Sequence, residues 1–138
     1  MPGSFVDSNV LLYLLSSDER KRSISKRLLD SEVTISVQVL NEIVNVARRK
    51  QGRDWAEIGD FVDDLLPLIA VIPLTIEIHR SGREIASRYS FAFYDSLIIA
   101  AAIEASCTTL FSEDLHHSQK IGELTIVNPF ALSGDAPP

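Results

Sequence analysis

From Leu97 to Ile103 the chain reads Leu-Ile-Ile-Ala-Ala-Ala-Ile with no polar residue, inside a helical stretch from Tyr94 to Ser106. A helix apolar on every side has no face to give to water, so protein must enclose it. The run is far too short to cross a bilayer, and Glu104 ends it. It predicts a central, buried helix.

The flanking segments indicate what encloses it. Phe5-Val6, Val33-Thr34-Ile35-Ser36, Thr109-Leu110-Phe111 and Leu124-Thr125-Ile126-Val127 read as strands, and Val71-Ile72-Pro73-Leu74 as a short extended piece. Helical patterns alternate with them. Ser8 or Asn9 caps a helix through Leu15. Asp18 to Asp30 turns Ile24, Leu28 and Leu29 inward and Lys21, Arg22, Lys26 and Arg27 to solvent. Val37 to about Gln51 is stopped by Gly52. Asp54 caps Trp55 to about Ile69, where Pro67 frays the last turn and Trp55, Ile58, Phe61, Val62 and Leu65 form the buried stripe. Thr75 caps a helix to about Ser87. Strands alternating with helices predict an α/β fold with a parallel sheet of four or five strands, covered on both faces. No repeat or linker divides the chain, so one domain is expected over residues 1–132, with a loose tail over 133–138.

At 138 residues and 46% apolar, the chain is long enough for one core, and few segments look disordered. Its single cysteine, Cys107, excludes an internal disulfide framework and reads as a small core residue. Val10 to Leu15 is apolar, but Asp7 precedes it rather than Lys or Arg, which is not the pattern of a signal peptide. A soluble, cytoplasmic protein that does not engage membranes is expected. The net charge of −6 argues against nucleic acid as a partner, unless several acids are gathered to hold divalent cations.

Four acids stand apart from the rest. Asp54, Glu57, Asp60, Asp63 and Asp64 read as the solvated face of one helix, and Asp18, Glu19, Asp30 and Glu32 sit at helix ends. Asp7 instead follows the first strand and Asp114 the run Thr108 to Ser112; ligands of open parallel sheets bind at such carboxyl ends. Asp95 heads the apolar helix, where it either caps the end or faces a cleft and wants a cation. Glu42 lies on the margin of the face formed by Leu40, Ile43, Val44 and Ala47, either half exposed or on the rim of a cleft, with Asn45 and Arg49 on its flank.

Asp7-Ser8-Asn9, Leu40-Asn41-Glu42-Ile43, Tyr94-Asp95-Ser96-Leu97-Ile98 and Ser112-Glu113-Asp114 resemble the motifs of PIN-domain ribonucleases, and most closely those of the toxin component of VapBC toxin–antitoxin pairs. The resemblance runs through nearly the whole chain to Ile126-Val127-Asn128-Pro129-Phe130. It implies a three-layer α/β/α sandwich and a ribonuclease dependent on Mg²⁺ or Mn²⁺. Asp7, Glu42, Asp95 and Asp114 would be the metal-binding, catalytic acids, supported by Asn9 and Ser112; Glu113 has no counterpart in the motif. It further implies an RNA substrate, neutralisation by a cognate antitoxin, and a homodimer. A non-catalytic PIN-fold binding module in a regulatory complex is the alternative.

The chemistry of the residues agrees. Mg²⁺ takes oxygen ligands and suits carboxylates; His116-His117 and His79 supply no ordered metal spacing. Arg48, Arg49, Lys50 and Arg53 form a basic cluster that either complements the helix dipole or touches RNA phosphate, with Arg49 and Arg48 the candidates. A phosphoacceptor receiver domain wants paired acids after the first strand and a Lys after the last; Asp7 stands alone and no Lys follows Val127. A haloacid-dehalogenase-like phosphatase wants Asp-x-Asp, and position 9 is Asn.

Overall fold

The computed structural model describes residues 3–131. The expected tail, 133–138, and the last residue of the expected domain lie outside the described residues.

A short apolar strand, β1 (Ser4–Val6), leads into α1 (Ser8–Leu12) and a 3-10 turn (Tyr13–Leu15). There follow α2 (Glu19–Leu28), β2 (Val33–Ser36), α3 (Val37–Arg49), α4 (Trp55–Leu65), β3 (Ala70–Ile72), α5 (Ile76–Tyr89), α6 (Phe93–Glu104), β4 (Thr109–Phe111), β5 (Lys120–Ile121) and β6 (Leu124–Val127). The sheet has six strands in the order β3-β2-β1-β4-β6-β5. Five are parallel, as the alternation of strands and helices requires. The sixth, β5, pairs antiparallel with β6 through a turn at Gly122, whose φ of +61° favours glycine. This edge hairpin goes beyond the four or five strands expected.

The core follows the apolar runs. Phe5, Val6, Ile35, Leu110 and Ile126 are fully or almost fully buried in the sheet, and α6 contributes the unbroken buried series Ser96 to Ala102. Helix α6 packs against α5, and a Cβ at Gly82 would stand 2.8 Å from Leu97 Cδ2, so glycine lets the two helices approach closely. On the other elements, Ser25 of α2 donates from its buried hydroxyl to the Val10 carbonyl at 2.8 Å, fastening α2 to α1.

Several local expectations need correction. Asp7, rather than Ser8 or Asn9, is the N-cap of α1, because its carboxylate accepts from the Ser8 amide. Trp55 is 62% exposed and outside the buried stripe, which Ile58 and Leu65 anchor. Helix α5 continues to Tyr89, two residues beyond the expected end, and stops where Ser90 turns left-handed at φ +61°. Of the early leucines, Leu11 is fully buried, while Leu12 and Leu14 are partly buried against the core. The caps at Asp54, with a reciprocal bond from Glu57, and at Thr75 stand as expected.

Candidate active site

The strand order places the site. Chain connectivity leaves β1 on one side for β2 and returns on the other as β4. This is a topological switch point, where the carboxyl ends of two neighbouring strands open a crevice. Asp7 follows β1 and Ser112 follows β4, and the Asp7 amide donates to the Phe111 carbonyl at 2.9 Å.

Asp7 is the centre of the polar network, only 3% exposed. Its Oδ1 accepts from the Ser8 amide at 2.7 Å and faces the Ser8 hydroxyl at 3.3 Å. Its Oδ2 accepts from Ser112 Oγ at 2.8 Å and from Asn9 Nδ2 at 3.4 Å. Asn9 also reaches Ser112 Oγ at 3.4 Å and accepts the Glu113 amide at 3.1 Å. Burial is the main cause that pushes the Asp7 carboxyl up from 3.8 to about 7; hydrogen bonds from Ser112 and Ser8 oppose it, and the charges of Glu42 and Asp95 add to it.

Glu42 joins through Ser8. The Ser8 hydroxyl donates to Glu42 Oε1 at 3.0 Å, and Gln38, one helical turn earlier on α3, donates to Oε2 at 3.2 Å. Half burial raises the Glu42 pKa despite these bonds, and the charges of Asp95 and Asp114 raise it further. Asp95 lies in the first turn of α6, but the N-cap is Ala92, with no side-chain capping bond. Burial raises its pKa too, followed by the charge of Asp114. Asp114 is exposed in the loop after β4. The four acids singled out in the sequence therefore share one electrostatic neighbourhood, drawn from β1, α3, α6 and the β4 loop. All their donor atoms are oxygens, the set a hard divalent cation takes. Among the described residues, no three His, Cys, Asp or Glu side chains are gathered tightly enough to hold a metal ion directly.

Three neighbours were not apparent in the sequence. Tyr13 donates to Glu113 Oε1 at 2.5 Å, Lys21 pairs with Glu113 Oε2, and Lys21 Nζ also donates to Tyr13 Oη at 3.1 Å. Lys21 is thus not part of an ordinary solvated face. Gln38 could have been found from its i, i+4 spacing to Glu42; nothing local marks Tyr13 or Lys21.

The basic cluster lies apart from these hydrogen bonds. Arg48 donates to the Arg53 carbonyl at 3.1 Å and stacks on the Trp55 ring at 5.4 Å. Arg53 is occupied by Gln51, Glu57 and the Leu15 carbonyl. Arg49 is exposed and its side chain makes no hydrogen bond or ion pair among the described residues. His117 Nδ1 accepts the Asn128 amide at 2.9 Å, away from the acids.

No curated protein matches the chain in sequence. Among solved structures, the fold is similar to that of VapC20 of Mycobacterium tuberculosis, a sarcin-ricin-loop-cleaving toxin, at 20% identity and a TM-score of 0.68 over 81% of this chain and 90% of that one. It is similar to a chain of a toxin–antitoxin complex from Klebsiella pneumoniae at 19% identity and a TM-score of 0.69, covering 92% and 98% of the two chains. A third likeness is to VapBC2 of Rickettsia felis bound to a promoter DNA fragment, at 18% identity and a TM-score of 0.65, covering 89% and 96%. At such identities the likeness is one of fold, a mostly parallel sheet flanked by helices. The PIN domain model matches residues 4–122, from β1 to the turn after β5, and this chain belongs to the PIN domain family.

Proposed function

We propose that this protein is a divalent-metal-dependent ribonuclease, the toxin of a VapBC-type pair, held inactive by a cognate antitoxin. The observation that carries the reading is Asp7: a buried carboxylate at the switch point of a PIN fold, pushed up to about 7 by burial and opposed by the charges of Glu42 and Asp95. A divalent cation beside it would offset both the burial and the neighbouring charges. The all-oxygen donor set fits Mg²⁺ or Mn²⁺, and because Mg²⁺ keeps several of its waters, the spread of the acids suits water-bridged as well as direct contacts.

Asp7, Asp95 and Asp114 would hold the ion, and Glu42 would orient the attacking water or hold a second ion. A bound divalent ion supplies an acidified water and offsets charge on the phosphate. Ser112 and the Ser8 amide hold the Asp7 pKa down against burial and keep the carboxylate aimed, and Asn9 ties Asp7 to the β4 loop. Arg49, exposed and unpaired among the described residues, would contact RNA phosphate some two helical turns from Glu42, about 10 Å along the axis. A toxin of this kind would act on cellular RNA in the cytoplasm. No helix among the described residues is long and apolar enough to cross a membrane. The toxin–antitoxin complexes among the similar folds support an antitoxin partner, and the family resemblance supports a homodimer.

Mapping new RNA 5′ ends after expression of wild type and Asp7→Asn tests the reading. Wild type should create discrete new ends and arrest growth; Asp7→Asn should do neither. Growth arrest by Asp7→Asn would instead mark a non-catalytic binding module.

A further inference from the structure

Glu113 sits beside Asp114 but is turned away from service as a fifth acid of the site. Both of its carboxylate oxygens are occupied, Oε1 by the Tyr13 hydroxyl and Oε2 by the Lys21 ammonium. Lys21 bonds to Tyr13 as well, so the three side chains close a triangle. The triangle has a wall: Phe130 meets the Tyr13 ring edge-on at 4.9 Å, and Lys21 Nζ lies 4.7 Å from the Tyr13 ring centre and 5.2 Å from that of Phe130. The 3-10 turn, α2, the β4 loop and the segment after β6 therefore converge on one carboxylate. On the backbone side, the Glu113 amide is held by Asn9, which also touches Asp7 and Ser112.

Asp114 differs. It is exposed and its side chain makes no hydrogen bond among the described residues. Its location rests on its neighbours, the doubly held Glu113 and the buried Leu115. We infer that Tyr13 and Lys21 are positioning residues, which hold Glu113 out of the acid group and so set where Asp114 stands for the cation. This deepens the ribonuclease reading and rests on it. Released from the clamp, Glu113 would bring a further negative charge beside Asp114 and free the loop that carries it. Groups that orient a metal ligand from behind typically contribute about 10–100-fold in affinity.

The test is calorimetric titration of metal-free protein with Mn²⁺, with folding followed by circular dichroism. Lys21→Met should weaken Mn²⁺ binding by about 10-fold. Tyr13→Phe, which removes the hydroxyl's bonds to Glu113 and Lys21 but little volume and leaves the Lys21–Glu113 pair, should weaken it less, and it keeps the test usable should Lys21→Met not fold. Lys21→Arg, which keeps the cation, should recover most of the loss. In an Asp114→Asn background, neither Lys21→Met nor Tyr13→Phe should cost more, because residues acting through one another are not additive. An equal loss in both backgrounds overturns the inference. Unchanged Mn²⁺ binding in Asp114→Asn alone also overturns it, leaving the metal reading intact. Unchanged binding in both Asp114→Asn and Asp7→Asn overturns that reading as well.

Discussion

At the amino ends of β4 and β6 the protein has a hollow of about 610 Å³, walled by Ile85, Tyr89, Ile103, Cys107, Ile121 and Leu124. At the carboxyl ends of β1 and β4 it gathers four carboxylates, one of them almost fully buried. An apolar hollow of that size is the usual starting place in a search for a small-molecule site. The proposed chemistry lies at the other end. A nuclease acts on a charged polymer, and it needs charge more than apolar wall. The amino end is built for packing; the carboxyl end holds groups whose burial raises their pKa and whose charges oppose one another. Stability and activity should therefore respond in opposite directions at the two ends.

The largest effect should come from Asp7→Asn. RNA cleavage should fall by more than about 100-fold, beyond the loss typical of a residue that only supports a ligand. The metal-free variant should nevertheless be more stable than wild type above neutral pH. Unfolded Asp7 titrates near 3.8 and folded Asp7 near 7. Between those values the folded chain holds a proton that the unfolded chain has lost, so stability falls as pH rises through the window. The variant avoids a penalty of at most about 4 kcal/mol at pH 8. Glu42 and Asp95, also raised by burial, leave a residual slope of the same sign. Urea unfolding in chelator at pH 5 and pH 8 measures both terms.

Leu124→Ala tests the opposite end. Leu124 is almost fully buried, so its truncation should cost about 2–5 kcal/mol and leave the cleavage rate of the folded protein unchanged. A matching loss of rate, measured well below the melting temperature, would break the separation of the two ends. Ser112→Ala is subtler. Its hydroxyl holds the Asp7 pKa down, so its removal should leave Asp7 more protonated at neutral pH. Activity should drop by about 10-fold at pH 7 and recover as pH rises; a rate–pH profile checks this. The smallest effect is expected for Arg49→Ala. Binding of single-stranded RNA should weaken a few-fold, with the log–log salt slope shallower by about 0.7. An unchanged slope would remove Arg49 from the RNA path.

What could be read in the sequence divides along the same line. The buried helix α6 and strands β1, β2, β4 and β6 announced themselves, because continuous apolar runs leave few ways to be enclosed. Asp7, Asp95 and Asp114 were legible as acids at strand and helix ends and Glu42 as one on the margin of a helix face, and the family motifs joined them into one site. Strand β5 was not, since two residues cannot display an alternation. The α1 cap fell one residue early because Asp, Ser and Asn all cap well and stand in a row. Trp55 escaped the stripe its spacing predicted by lying against Arg48 on the surface. The Tyr13–Lys21–Glu113 triangle could not be seen at all. Glu113 lies about a hundred residues from Tyr13 and Lys21, and only the meeting of β1 and β4 brings it to them.

The most direct test is cleavage of RNA by exhaustively chelated protein as Mg²⁺ is titrated back, run in parallel on wild type and Asp7→Asn. If the four acids hold a divalent ion for this reaction, chelated wild type is inactive, added Mg²⁺ restores it, and Asp7→Asn stays inactive at every concentration. Full cleavage by chelated wild type, or restoration of Asp7→Asn to wild-type rates, would contradict a metal-dependent site built on Asp7.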